Sequence, residues 1–416
     1  MNMNSDQSQI IISCLSGKKV NISESDLRNV NSDVLNSIID IYRRTRVFSV
    51  PYRSSVVSQL VSYIRNNELL FESEKDAIDM YRISIEYQIE NLRKQCRQCL
   101  INAISGENVC RIHDFACQQD DKLIQYYCWR TFDAHWKEVF NGDDFLRCQR
   151  TTIDRLLSRP VYLSLTEGNL FSAVYKWVTE EVKRGSASRD AFNERCRTAM
   201  EPFVSKIRFL SMSLNEFSRH VVPTNYLNDE EKESIRSGLT SNELTNYPER
   251  FSKLRDRRNR SLSTNWFRYL KRMPYTNNSK NKSMIFSTEI SVMEDCFVIT
   301  LKLPVTHYHS RTIPVKLNGY KNFVENRLES ETVYCNEVGF VYLECPIFVG
   351  KDEILRLTIE FVPDEIRQLY KGPIMTFFQH DMFRTDYDSD AVRFLEYLQL
   401  QSDESNHIYF EVDLYF

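Results

Sequence analysis

Glycine and proline are scarce in this chain, 10 and 11 among 416 residues, which excludes collagen-like, low-complexity and glycine-loop architectures. Charge of one sign is lacking as well. With a formal net charge of -3, no global field draws the chain to nucleic acid or an anionic membrane. No run of about 18 apolar residues occurs, so no membrane partner is expected. The opening MNMNSDQSQI lacks the basic-then-apolar order of a signal peptide, and the 11 Cys are expected as reduced thiols in the cytoplasm or nucleus. A Gly-rich phosphate loop, a GxSxG elbow, an HExxH helix and a recognisable cysteine nucleophile are all missing. The expectation is therefore a non-enzyme with no cofactor, no metal and no catalytic residue; Asp143-Asp144 and Asp386 to Asp390 read as solvated faces.

What is present is a soluble composition, 42% hydrophobic and 27% charged, on a chain long enough for two or three domains. Residues 9–22 read as two short strands joined at Ser16-Gly17. A helix is predicted from about Ser25 to Asp40, a third strand from Arg46 to Val50, and a helix over 54–66. Two further helices, broken near Tyr87, carry Cys96 and Cys99. This CxxC lies inside a helix without a second pair, and reads as helix cysteines more than as zinc ligands. Together these elements form a small α/β unit.

From Ser105 the chain reads as paired helices. Val109, Ile112 and Phe115 share a face, while His113 and His135 read as helix-surface histidines. In 151–178 a short amphipathic helix is followed by a loop; Thr166 then caps a helix with Glu167 in its first turn and Phe171 and Trp177 as core anchors. Residues 236–282 turn basic around RDRRNR, Trp266, Phe267 and Tyr269. A linker with a docking segment is favoured over RNA binding or a nuclear import signal, and nucleic acid is not the expected partner. From Ser283 the period becomes two, which predicts an antiparallel β-sandwich. His307 and His309 stand on one strand face there, with His380 or Cys335 as conceivable further ligands; exposed loop polarity is the preferred reading.

The order strand, turn, strand, helix, strand, helix, helix pair over 9–104, with SQLVSYIRNNELLF and DAIDMYRISIEYQIENLRKQCRQCL, resembles a BTB (POZ) domain. TTIDRLLSRPVYLSLTEGNLFSAVYKWV and PFVSKIRFLSMSLNEFSRHVV resemble the BACK domain that follows it in BTB and Kelch-type adaptors. Kelch repeats are not expected, since no double-glycine period appears. The resemblance implies a multidomain α+β chain: flexible residues 1–8, a BTB α/β domain over 9–104, an all-helical BACK domain over 105–235, a basic linker over 236–282 and a C-terminal antiparallel β-sandwich, PHR-like in position, over 283–416.

It further implies a homodimer, formed by strand exchange at Gln9, Ile10, Ile11 and Ile12, acting as the client-binding adaptor of a cullin-RING ubiquitin ligase. The implied cullin surface combines Ile41, Tyr42 and Arg43 in the loop after the first long helix with Val109, Ile112 and His113. Glu24-Ser25-Asp26 replaces the family's His-Lys pair, and Arg43-Arg44 stands where cullin-binding members place an acid. These departures leave open a BTB-BACK scaffold, structural or transcriptional, that binds no cullin.

Overall fold

The computed structural model describes residues 9–71, 73–162, 164–185, 192–224, 226–241, 244, 247–258, 267–278, 283–292, 294–303, 305–306, 312–321, 327–361, 376–377 and 407–415. Two compact units emerge, Met1–Phe145 and Leu146–Phe416.

In the first unit β1 (Gln9–Ser13) pairs antiparallel with β2 (Lys19–Ser23) along its whole length. Gly17 makes the turn at φ +75, a left-handed conformation that a side chain would resist. Ile10, Ile12 and Ile22 are buried while Ile11 is 39% exposed, the alternation of a sheet with one covered face. The helix expected over Ser25 to Asp40 is two: α1 (Glu24–Asn29) and α2 (Asp33–Thr45). Asn31 breaks the run at φ 56, and Ser32 restarts it by accepting from Leu35 N at 3.1 Å. The same hydroxyl donates to Tyr87 O at 2.5 Å, tying α2 to the end of a later helix.

The third strand is shorter than expected: β3 (Phe48–Ser49) runs parallel to β1, giving the order β2-β1-β3. Then follow α3 (Ser54–Asn66), α4 (Glu74–Glu86), α5 (Glu90–Ala103), α6 (Val109–Gln118), α7 (Lys122–Asn141) and α8 (Asp143–Arg147). Asp121 caps α7 and takes Tyr81 Oη at 2.5 Å and Arg97 Nε at 2.6 Å, so one buried carboxylate joins α4, α5 and α7 with its lone pairs satisfied.

The second unit begins with α9 (Arg150–Ser158), α10 (Glu167–Arg184), α11 (Phe192–Val204), a 3-10 turn at Phe209–Ser211, α12 (Leu214–His220) and α13 (Asp229–Thr240). As expected, Thr166 caps α10, accepting from Asn169 N at 3.3 Å. The strands are β4 (Phe267–Asn278), β5 (Ser283–Ser291), β6 (Cys296–Lys302), β7 (Val305–Thr306), β8 (Ile313–Lys321), β9 (Arg327–Cys335), β10 (Phe340–Val349), β11 (Ile354–Phe361), β12 (Thr376–Phe377) and β13 (His407–Tyr415).

The period-two region is antiparallel, as read, but its sheet closes on itself: β10-β6-β13-β4-β5-β11-β8-β9 is a ring, with β7 and β12 a separate pair. Val298, Leu301, Val315, Leu355, Leu357, Val412 and Leu414 are at most 1% exposed and cluster in its core. A barrel of this strand number has an interior just wide enough for side chains, so it is packed rather than hollow.

The basic linker requires correction. Residues 267–278 within it are strand β4, paired with β13 from Phe267↔Leu414 to Pro274↔His407. Before it, Tyr247, Phe251 and Arg258 are buried. Trp266, His307, His309, His380 and Asp386 to Asp390 lie outside the described residues, as do residues 1–8.

Candidate protein-interaction site

The six residues implied for the cullin surface divide into exposed and buried. Ile41, Tyr42 and Arg43 occupy the last turns of α2, not a loop. Ile41 is 55% exposed, and Val47 just beyond the helix 65%. Tyr42 is buried; its hydroxyl accepts from Ile11 N at 3.2 Å, so it closes the sheet from within. Arg43 is exposed but paired, its guanidinium reaching both Glu24 carboxylate oxygens and lying 3.8 Å from Asp40.

Val109, Ile112 and His113 are fully buried, which removes them as contact residues. The reason is that the first turns of α6 face inward. His113, read as a surface histidine, packs at a tilt against Trp129 with ring centroids 4.4 Å apart and lies 6.3 Å from Phe132. His135, by contrast, stands on the surface 3.7 Å from Glu138.

The residues implied for strand exchange, Gln9 to Ile12, form β1. β1 is the middle strand of its sheet, with Ile10 and Ile12 spent on the core; only Gln9 and Ile11 face out. Its β2 side is paired from Gln9 to Ser13, whereas β3 covers only Ile12 and Ser13 on the other side. Ile11, Ile41 and Val47 thus remain as exposed apolar side chains of this region.

In the second unit Phe171 and Trp177 are core anchors as expected. Phe171 packs between Phe209 and Tyr226 at 5.8 and 6.4 Å. Trp177 meets Phe203 edge-on at 6.0 Å and donates from Nε1 to Cys148 O at 3.1 Å, satisfying the one polar atom its burial brings along.

Glu167 has a role the helix dipole did not suggest. It is an ion-pair partner of Arg258, both side chains 4% exposed, with Nη1 at 2.5 and 2.6 Å from the two carboxylate oxygens. Arg258 also donates to the carbonyls of Arg159, Leu157 and Lys206, and Arg208 N donates to Glu167 at 2.7 Å. Such a fully bonded pair can persist at low dielectric. No spacing in the sequence links partners 91 residues apart.

The same stretch is further held by Arg250, between Glu201 and Glu231 at 2.5 Å each, and by Phe251 against Phe209 at 5.3 Å. The barrel is fastened to these helices through Arg159, which donates to Tyr415 Oη at 3.2 Å with its guanidinium between the rings of Tyr162 and Tyr415.

Burial pushes the Cys96 thiol up to about 12 and that of Cys335 likewise to about 12, each far from the thiolate needed to bind a metal or attack a substrate. Cys99, partly exposed, is raised by the same cause. The best-formed crevice of the first unit is apolar, lined by Ile12, Leu27, Leu35, Phe48, Val57 and Leu60 among others, with room for about one water.

These features amount to a helical array with aromatic anchors inside and single apolar side chains on its exterior. Residues 109–222 match the family model described as BACK, "BTB And C-terminal Kelch". A relative in Xenopus laevis, the influenza virus NS1A-binding protein homolog, is 24% identical over 143 residues, 34% of this chain and 22% of that protein. The match therefore spans less than a quarter of that relative's length. With the strand-and-helix unit before it, the BACK match makes the chain similar to BTB-BACK proteins over that part of its length. A family GH115 4-O-methyl-α-glucuronidase overlays 60% of this chain and 32% of its own at 7% identity and a TM-score of 0.15, too low to carry an argument. No helix among the described residues is long and apolar enough to cross a membrane.

Proposed function

We propose that this BTB-BACK protein is a substrate-recognition adaptor of a cullin-RING ubiquitin ligase, acting as a homodimer, with its C-terminal barrel binding the client. No residue performs chemistry; the adaptor raises the effective concentration of client lysines beside a recruited ubiquitin-charged enzyme. The observation that carries this reading is the BACK match together with an exposed Ile41 at the end of α2, where the family resemblance locates cullin contact. The setting is cytoplasmic or nuclear.

Arg43 favours a second reading. Held by Glu24 and Asp40, it places a cation where an acid is expected, and a scaffold that binds no cullin would tolerate that charge. Affinity purification of the full chain separates the two. A cullin that co-purifies with the wild type and is lost from Ile41→Asp supports the adaptor; a well-folded dimer with no cullin in either sample rules it out.

A further inference from the structure

Strand pairing in the barrel lapses at one joint. β8 and β9 are bridged from Ile313↔Cys335 to Tyr320↔Arg327, and β5 and β11 along the whole of β11. Between β9 and β10 the described pairing is Val341↔Cys335 alone. The cause lies in β10: its register on β6 shifts between Tyr342 and Ile347, and a bulge of that size bends the strand away from its other neighbour. The edge of β9 over residues 327–334 consequently has no strand partner among the described residues.

Side chains beside this seam are those of an interface. Tyr334, Val338 and Tyr342 are 55%, 48% and 63% exposed, and Tyr342 stacks on Phe340 at 5.9 Å. Glu337 and Glu344 are exposed between and beside them, with no ion pair to a described residue, while the neighbouring Lys302 is engaged over the Phe340 ring at 5.3 Å. An open strand edge is chemically complementary to one thing, the backbone of another extended chain. Exposed tyrosines supply anchoring area at low entropic cost, and the two carboxylates select for positive charge.

We propose that the β9 edge at this seam takes an extended segment of a partner protein as an added strand, a segment in which apolar or aromatic side chains alternate with lysine or arginine. This deepens the client-binding reading above and names the client's chemistry.

The test is selection of displayed random peptides of about 12 residues on the full-length protein, followed by solution binding of the enriched peptides. Enriched sequences alternate apolar with basic residues. Their affinity falls at least roughly tenfold on Tyr342→Ala, Tyr334→Ala or Glu344→Lys, and also when alternate peptide amides are N-methylated, which removes strand donors but leaves the side chains. All three substitutions are at exposed positions, and melting curves matching wild type certify the fold. Absence of such sequences, or binding indifferent to both the substitutions and the N-methylation, overturns the proposal. Dissociation of a dimer by Tyr342→Ala overturns it too, since the seam would then hold a second copy. Cullin co-purification by these variants is expected at wild-type level, so failure of the ligase reading and failure of the seam are told apart.

Discussion

The helices around α10 and the barrel that follows them are stabilised in opposite ways. The helices draw on neighbours in sequence for their caps, with Thr166, Ser213 and Asn228 each bonding an amide three residues on. They are then locked by a few long-range polar contacts centred on Glu167–Arg258. The barrel has almost the reverse balance: its described core is a large apolar cluster, and its ring closes only because β13 returns to lie between β4 and β6. Local signals therefore outline the helices, and one buried charge pair helps hold them together; in the barrel, closure depends on strands far apart in the chain, β13 on β4 and β6 and β11 on β5.

Breaking the lock is expected to have the largest effect. Arg258→Ala leaves Glu167 buried without its cation and should cost about 3–5 kcal/mol, read as a fall in the melting temperature of the full chain. A double change to a well-packed apolar pair should recover most of that loss, which would show that the charge pair confers specificity more than stability.

Next comes Trp177→Ala, which removes an anchor and orphans Cys148 O; about 3–5 kcal/mol is expected from denaturant melts. In the barrel Leu357→Ala opens a cavity in the closed core and should cost about 2–4 kcal/mol. The contrast sharpens if its effect is additive with that of Trp177→Ala.

A smaller loss, about 1 kcal/mol, follows from Gly339→Ala. This glycine sits at φ 92 in the β9–β10 turn, where Asn336 Oδ1 accepts from Val338 N and Phe340 N at 3.1 and 2.8 Å.

The smallest effect concerns pH and the first unit. Burial raises the Asp144 carboxyl above its ordinary range, against the amides of Arg111 and Cys110 that lower it. A raised folded value means the native state binds the proton more tightly. The associated stability is present at low pH and lost as pH rises through the folded value. Asp144→Asn keeps an acceptor oxygen for those amides and should flatten the loss of stability that sets in as pH rises above the ordinary aspartate range, read from melts at a series of pH values.

Several of these features were legible in the sequence. The cap at Thr166, the burial of Phe171 and Trp177 and the two-residue period beyond Ser283 are signals carried by residues a few positions apart, whereas the strands already begin at Phe267. The α1–α2 break was missed because Leu27, Val30, Val34 and Leu35 continue a helical stripe across Asn31, whose left-handed φ costs asparagine little. His113 was misplaced because a helix with apolar residues on most of its circumference has no outward face to offer. The basic stretch read as a linker because an arginine's partner is invisible when it lies 91 residues away.

The sequence by itself determined most of the helices, the cap at Thr166 and the two-residue period of the C-terminal strands, because those follow from local geometry and period. Only the tertiary structure decided that Tyr42 and Val109 are core while Ile41 is surface, that β3 joins β1 at Ile12 and Ser13, and that Arg258 is spent on Glu167. It decided as well that the strands close into a ring with one weak joint. The physical reason is common to all of these: each depends on which distant segments share a dielectric, a hydrogen bond or a strand edge, and chain order does not encode such proximity.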